Sequence, residues 1–180
     1  MARIFAGIDP SLTSTGVVVL AAGEQLTLAS FASKPTGTSL AARRDRLWAL
    51  TTAVKDAVRR DGTHEYVVLV EAPTYATHSG SQHDRSGLWW LLVDELLDLG
   101  PVLEVSPTTV KAFATGRGNA DKTAMAVTAA REFPGAPLKN DDQVDALWIA
   151  ALAEYLDNPD AGRVERTKYR DKAAAAVPRH

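Results

Sequence analysis

The sequence contains no cysteine. That excludes disulfides, cysteine-ligated zinc and a cysteine nucleophile, and it fits a reducing compartment. It has no run of about 18 apolar residues, the length a membrane-crossing helix needs. Its opening residues lack the charged segment, apolar stretch and small-residue cleavage site of a signal peptide, so a cytoplasmic protein is expected. Strong charge of either sign is missing too: the net value is −2 over 180 residues, so bulk charge neither supports nor excludes nucleic acid. No internal repeat is visible. The four histidines, His64, His78, His83 and His180, show no zinc-ligand spacing among themselves and read as polar loop residues.

What is present has the composition of an ordinary globular protein, 46% hydrophobic and 23% charged. One domain is expected over residues 1–157, followed by a basic, loosely ordered tail over 158–180. From Arg163 onward six Lys and Arg face two acids, so the tail carries +4 and the remainder −6. Such a tail is expected to add non-specific phosphate affinity.

The chain is organised around Gly7-Ile8-Asp9-Pro10 and the Ser/Thr-rich turn to Gly16. Apolar runs of strand length flank that turn, Ile4 to Ile8 and Val17 to Leu20, which predicts a β-hairpin with Asp9 ending the first strand. Gln25 to Ser33 alternates as a third strand, with Leu26, Leu28 and Phe31 as inward candidates. A helix follows over Ser39 to Arg60, and Arg43, Arg44 and Arg46 read as its solvated face, with DNA contact as the alternative.

Tyr66 to Val70 is continuously apolar and closes on Glu71, the pattern of a central strand covered on both sides. Residues 74–87 form a long polar loop, and Leu88 to Leu99 a helix that is apolar almost all round. A partner subunit against that helix, or deep burial in one domain, would account for its second face. Pro101 to Val105 is a fifth strand. Ser106-Pro107 opens a helix to Gly116, Asp121 caps another over Lys122 to Phe133, and a last helix begins near Asn140-Asp141. Asp141 reads as its cap. Val144, Leu147, Trp148, Ala151, Leu152 and Tyr155 form its apolar stripe. The whole is an α/β chain with a five-stranded mixed sheet and helices on both faces.

Acids stand at three separated places. Asp9 and Glu71 end strands, and Asp142 and Asp145 share one face of the last helix. Each has a dull reading alone: a turn residue, a strand reaching solvent, first-turn acids favoured by the helix dipole. Asp145 is harder to dismiss, because an apolar stripe follows at once. Brought together, four carboxylates repel unless cations intervene, and hard Mg²⁺ or Mn²⁺ ions suit oxygen donors. Four could hold two ions about 4 Å apart, the arrangement used for in-line displacement at phosphorus.

At these residues the chain resembles a family. Gly7-Ile8-Asp9-Pro10, Val70-Glu71, Ser106-Pro107-Thr108-Thr109-Val110-Lys111, Gly116 to Lys122, and Asp142-Gln143-Val144-Asp145-Ala146-Leu147 look like the RuvC-type Holliday-junction resolvases, in the family's order. The resemblance spans about residues 3–156. It implies an RNase H-like fold, a homodimer, branched DNA as substrate (a four-way junction first), and Mg²⁺-dependent hydrolysis with two ions per site, Mn²⁺ substituting. Asp9, Glu71, Asp142 and Asp145 match the metal-binding catalytic acids. Lys111 and Lys122 match the basic residues that hold and polarise the backbone phosphate.

Arg85 and Arg117 are further DNA-contact candidates. Tyr75 lies one residue beyond the place of the family's aromatic wedge, and Ser11 stands where the family has glycine. These departures, with Arg85 to Trp90 and the basic tail, suggest a divergent branch, possibly phage-encoded. Two other classes compete. Actin-like ATPases share the Gly-Ile-Asp opening but need a second similar domain, and an RNase H-like chain can serve as a non-catalytic DNA-binding protein.

Overall fold

The computed structural model describes residues 2–21, 27–73 and 81–178. Three strands come first: β1 (Arg3–Asp9), β2 (Ser14–Ala21) and β3 (Thr27–Ala32). Helix α1 (Leu40–Val58), strand β4 (Glu65–Glu71), helix α2 (Gln82–Leu97) and strand β5 (Val102–Val105) follow. The remainder is helical: α3 (Pro107–Thr115), α4 (Lys122–Glu132), α5 (Asp141–Asp157) and α6 (Lys168–Ala175). The strands pair in the order β3-β2-β1-β4-β5, antiparallel through β1 and parallel from β1 to β5. This is the five-stranded mixed sheet the sequence predicts. No described helix is long and apolar enough to cross a membrane.

Strand alternation divides the chain into two cores. Ile4, Ala6, Ile8, Val17, Val19, Tyr66, Val68 and Val70 face α1 and α2, meeting Leu47, Leu50, Val54, Leu88, Leu92 and Leu96. The opposite residues, Phe5, Val18, Leu20 and Leu69, face α5 and the helices around it. Asp9 and Glu71 continue that second set, two residues beyond Gly7 and Leu69. The period of two therefore aims both acids at the α5 side.

Helix α5 docks on the sheet closely enough to touch its backbone. A Cβ on Gly7 would lie 2.2 Å from the Ala150 nitrogen and 2.3 Å from the Ala146 carbonyl oxygen. One on Gly16 would lie 2.1 Å from the Asp142 carbonyl oxygen. Glycine on the strands and alanine on the helix permit that contact, and α5 is buried nearly all round, beyond the stripe read from the sequence. Helix α2 is the converse. It starts at Gln82, inside the stretch read as loop, and buries one stripe while Trp90 and Leu97 stay exposed. Leu28 and Phe31 of β3 fall on opposite faces and pack against different cores; Leu26 lies outside the described residues.

The expectation of a loosely ordered tail is corrected. Beyond Asp157 the chain returns to the core, and Val164, Arg170, Ala173, Ala174 and Val177 are buried. Thr167 caps α6 by accepting from the Arg170 amide, and Tyr155 donates to Asp171 at 2.8 Å. Two of the tail's basic residues besides Arg170 are tied to neighbours: Arg163 to Glu154 and the Ala21 carbonyl, and the exposed Arg166 to Asp160 and Asp171. A run of Lys, Arg and Ala hides this helix from a periodicity reading, because its anchor is an arginine.

Candidate active site

The four acids converge at one edge of the sheet from three segments. In the β1–β4 ladder Ile8 pairs with Val70, and the next step sets Asp9 beside Glu71. On its other side Asp9 pairs with Gly16, over which the Asp142 backbone lies. One turn of α5 later comes Asp145, on the same face as Asp142. All four are half-buried.

Their electrostatics record the crowding. Burial, then Asp145 and Asp142, push Asp9 up to about 7 against the pull of Lys122. Burial, then Asp9 and Asp145, push Glu71 up to about 8 against Lys111. Burial also raises Asp145, with Lys122 and Lys111 opposing and Asp141 and Asp142 adding. The two lysines thus act on the cluster from α3 and from the first turn of α4.

The structure corrects the reading of Asp141. Asn140 is the cap, accepting from the Gln143 amide, and Asp141 occupies the first helical turn. Its carboxylate accepts from the Lys122 ammonium at 3.0 Å. Asp141 therefore contacts one of the phosphate-binding candidates rather than capping the helix.

Several residues around the acids escaped the sequence. Ser14 donates to the Asp142 carboxylate at 2.5 Å, and the Trp89 indole donates to the Glu71 carbonyl at 3.0 Å. Arg46 donates to the Ser33 hydroxyl at 2.6 Å and to the Leu12 carbonyl, fastening the turn after Asp9. Arg43 forks onto Asp84 of α2, at 3.0 and 3.1 Å from Nε. These two arginines are structural ties, as the solvated-face reading did not foresee. Contacts between residues 13 to 128 apart leave no mark in local sequence.

A cleft of about 480 Å³ opens beside Asp9 and Glu71, lined also by Ser11, Arg46, Arg85 and Trp89. Arg85 stands exposed at its side; Arg117 is exposed in the loop after α3, which also leads to Lys122. His83 is exposed on the first turn of α2. Tyr75 and His78 lie outside the described residues. The donor set, carboxylate oxygens only, suits a hard divalent cation in kind. Among the described residues, no three such groups stand close enough together to clasp an ion.

No protein-family model and no curated protein matches the sequence. Solved structures do. Thermus thermophilus RuvC superposes with a TM-score of 0.66 at 22% identity, over 90% of this chain and 99% of that one. T. thermophilus RuvC in complex with Holliday junction substrate gives 0.66 at 18% identity, over 90% and 98%. The chain has the RuvC-type, RNase H-like fold, in a divergent sequence.

Proposed function

We propose that this RuvC-type fold serves as a divalent-metal-dependent endonuclease that cuts branched DNA, with four-way junctions as its first substrate. The observation that carries the reading is the convergence of Asp9, Glu71, Asp142 and Asp145 from three segments onto one edge, with Lys111 and Lys122 acting on them. A structural neighbour, T. thermophilus RuvC, was solved in complex with Holliday junction substrate.

In this reading the four carboxylates turn toward a common centre and hold two Mg²⁺ ions, or Mn²⁺ in their place. The bound ions supply an activated water and stabilise the leaving oxygen. Lys111 and Lys122 hold the scissile phosphate, and Arg85 and Arg117 grip the backbone on either side of it. Ser14 fixes one rotamer of Asp142, and the Trp89 indole holds the strand end that bears Glu71. Tyr75, following β4, is assigned to the opened branch point. Cleavage leaves 5′-phosphate and 3′-hydroxyl ends.

A two-fold-symmetric junction calls for two sites, and the exposed side of α2 suits a second copy. Trp90 and Leu97 are 65% and 55% exposed there, beside Leu91 and Val93. Light scattering at micromolar concentration should give about twice the chain mass of 19.3 kDa. Four-way, three-way, flap and linear DNA offered with Mg²⁺ should show paired nicks on the four-way form. Junction binding with no cut in any metal would favour the non-catalytic reading, and release of phosphate from ATP the ATPase one.

Metal binding has a readout separate from cleavage. The unfolded-chain values of Asp9 and Glu71 lie near 3.8 and 4.5, and folding raises both. The folded state then binds more protons than the unfolded chain. In chelator, these two acids therefore cost increasing stability as pH rises from about 4 to about 8. Mg²⁺ should reverse that cost where the acids are charged. At a hundred times its dissociation constant it adds about 2.7 kcal/mol, or about 5–10 °C in melting temperature, at pH 8. At pH 5.5 the rise should be much smaller. Equal shifts at both pH values would count against these ligands.

A further inference from the structure

We propose that α6 is a clasp that sets the position of Lys111 and Lys122, with Arg170 as the positioning residue acting through α3 and α4. The inference rests on the nuclease reading above for the role of the lysines, and on geometry for the clasp itself.

Arg170 is 1% exposed, yet it carries a full charge. Its guanidinium lies 5.7 Å from the Phe113 ring, 5.8 Å from Trp148 and 5.4 Å from Tyr169. Nη1 donates to the Glu165 carbonyl at 2.6 Å, and Nε reaches the Phe113 carbonyl at 3.4 Å. Among the described residues Nη2 has no hydrogen-bond partner, and it pairs with Glu132 at 3.4 Å. One side chain therefore touches α3 at Phe113, α4 at Glu132 and α5 at Trp148.

A buried cation is a poor way to gain stability, because desolvation opposes the attraction of its partners. What such a group can do is select one arrangement of the elements that face it, since its donors are directional and its charge tolerates few alternatives. The elements selected here carry the two lysines. Lys111 lies two residues before Phe113 on α3, and so points away from the clasp toward the acids, where it acts on Glu71 and Asp145. Lys122 opens α4, the helix that ends at Glu132. Between them, Gly116 closes α3 at φ +80°, exposed but beside the Tyr169 ring: an added Cβ there would lie 3.6 Å from that ring. The clasp holds both helices and the turn that joins them.

The test uses the full chain with Arg170→Met, which keeps apolar bulk, and Tyr169→Ala, a milder change at a half-buried residue. Single-turnover cleavage of a four-way junction at saturating enzyme should fall about 10- to 100-fold for Arg170→Met, as for a small misplacement of a catalytic group. Junction affinity in chelator should change less than threefold. In a Lys111→Ala, Lys122→Ala background the same substitution should cost less than twofold more, because the groups it positions are gone. An equal loss in both backgrounds, or no loss in either, would overturn the proposal. Should Arg170→Met fail to fold, Tyr169→Ala carries the same comparison. Should the native protein cut no DNA at all, the nuclease reading fails, and amide hydrogen exchange decides the clasp: faster exchange across residues 107–124 with α1 and α2 unchanged supports it, and uniform acceleration rejects it.

Discussion

Asp145→Asn is expected to lose cleavage by about 10²–10³-fold or more in Mg²⁺ while binding four-way junctions in chelator at least as tightly as the native protein. The opposite signs come from one charge. With metal bound as proposed, the carboxylate would offset the ions' charge and fix their places, and an amide would do neither. Without metal the same carboxylate repels the approaching phosphate, and its removal weakens that repulsion. Asp9→Asn, Glu71→Gln and Asp142→Asn should lose single-turnover cleavage likewise. Binding isotherms in chelator should show the smallest gain for Glu71→Gln, whose carboxyl, pushed up to about 8, carries little charge near neutral pH. Asp141→Asn should cost only a few-fold, because its pair with Lys122 is solvent-exposed and weak. A wild-type rate for Asp145→Asn would end the two-ion assignment. An Asp141→Asn loss as deep as that of Asp145→Asn would move the essential acid to the first residue of α5.

Asp9 and Glu71 were legible because each stands where a strong local pattern stops, and Asp145 because an apolar stripe follows it at once. Ile4 to Ile8 and Tyr66 to Val70 are apolar runs that end in a carboxylate, and no strand interior explains Asp9 or Glu71. Capping chemistry marked α3, α4 and α5 within a residue or two, with Ser106 and Asp121 bonding as caps and Gly116 left-handed at the close of α3. The misreadings have equally local causes. Gln82 to Gly87 is polar with a glycine, so the first turn and a half of α2 passed for loop. Helix α6 holds the core through an arginine among aromatic rings, which hydropathy scores as surface. Of the two accounts of α2, deep burial in one domain fails, because one face stays exposed at Trp90 and Leu97, while α5 is buried well beyond the stripe read from the sequence. Leucine and tryptophan side chains of α2 reach outward to Trp90 and Leu97, whereas the alanines of α5 are small because the sheet is close. Hydropathy counts bulk; burial here followed smallness.

That smallness supports the second large expectation, which concerns Gly16 and Gly7. An alanine at Gly16 would place its methyl 2.1 Å from the Asp142 carbonyl oxygen, and one at Gly7 2.2 Å from the Ala150 nitrogen. Both obstacles are backbone, so no rotamer change relieves them. The helix must lift, the sheet must bend, or both. Overpacking of this kind costs about 1–3 kcal/mol and sometimes more, so each variant should melt several degrees lower.

The effect on chemistry should be larger at Gly16 than the stability loss alone explains. Asp142 rides on the displaced turn of α5, and a misplacement of about 1 Å can cost about 100-fold. Gly7, on β1, meets α5 at Ala146 and Ala150, one to two turns beyond Asp142, so Gly7→Ala should shift melting temperature comparably and cleavage less. Gly87→Ala is the contrast: its methyl would meet only the Leu47 side-chain end at 3.2 Å, which can give way. That variant should keep near-native stability and rate. Melting curves paired with single-turnover rates for the three variants test the arrangement. If Gly16→Ala cut at the native rate while destabilised, the close seating of α5 on β2 would be a packing feature alone, and Asp142 would owe its position to the Ser14 hydrogen bond.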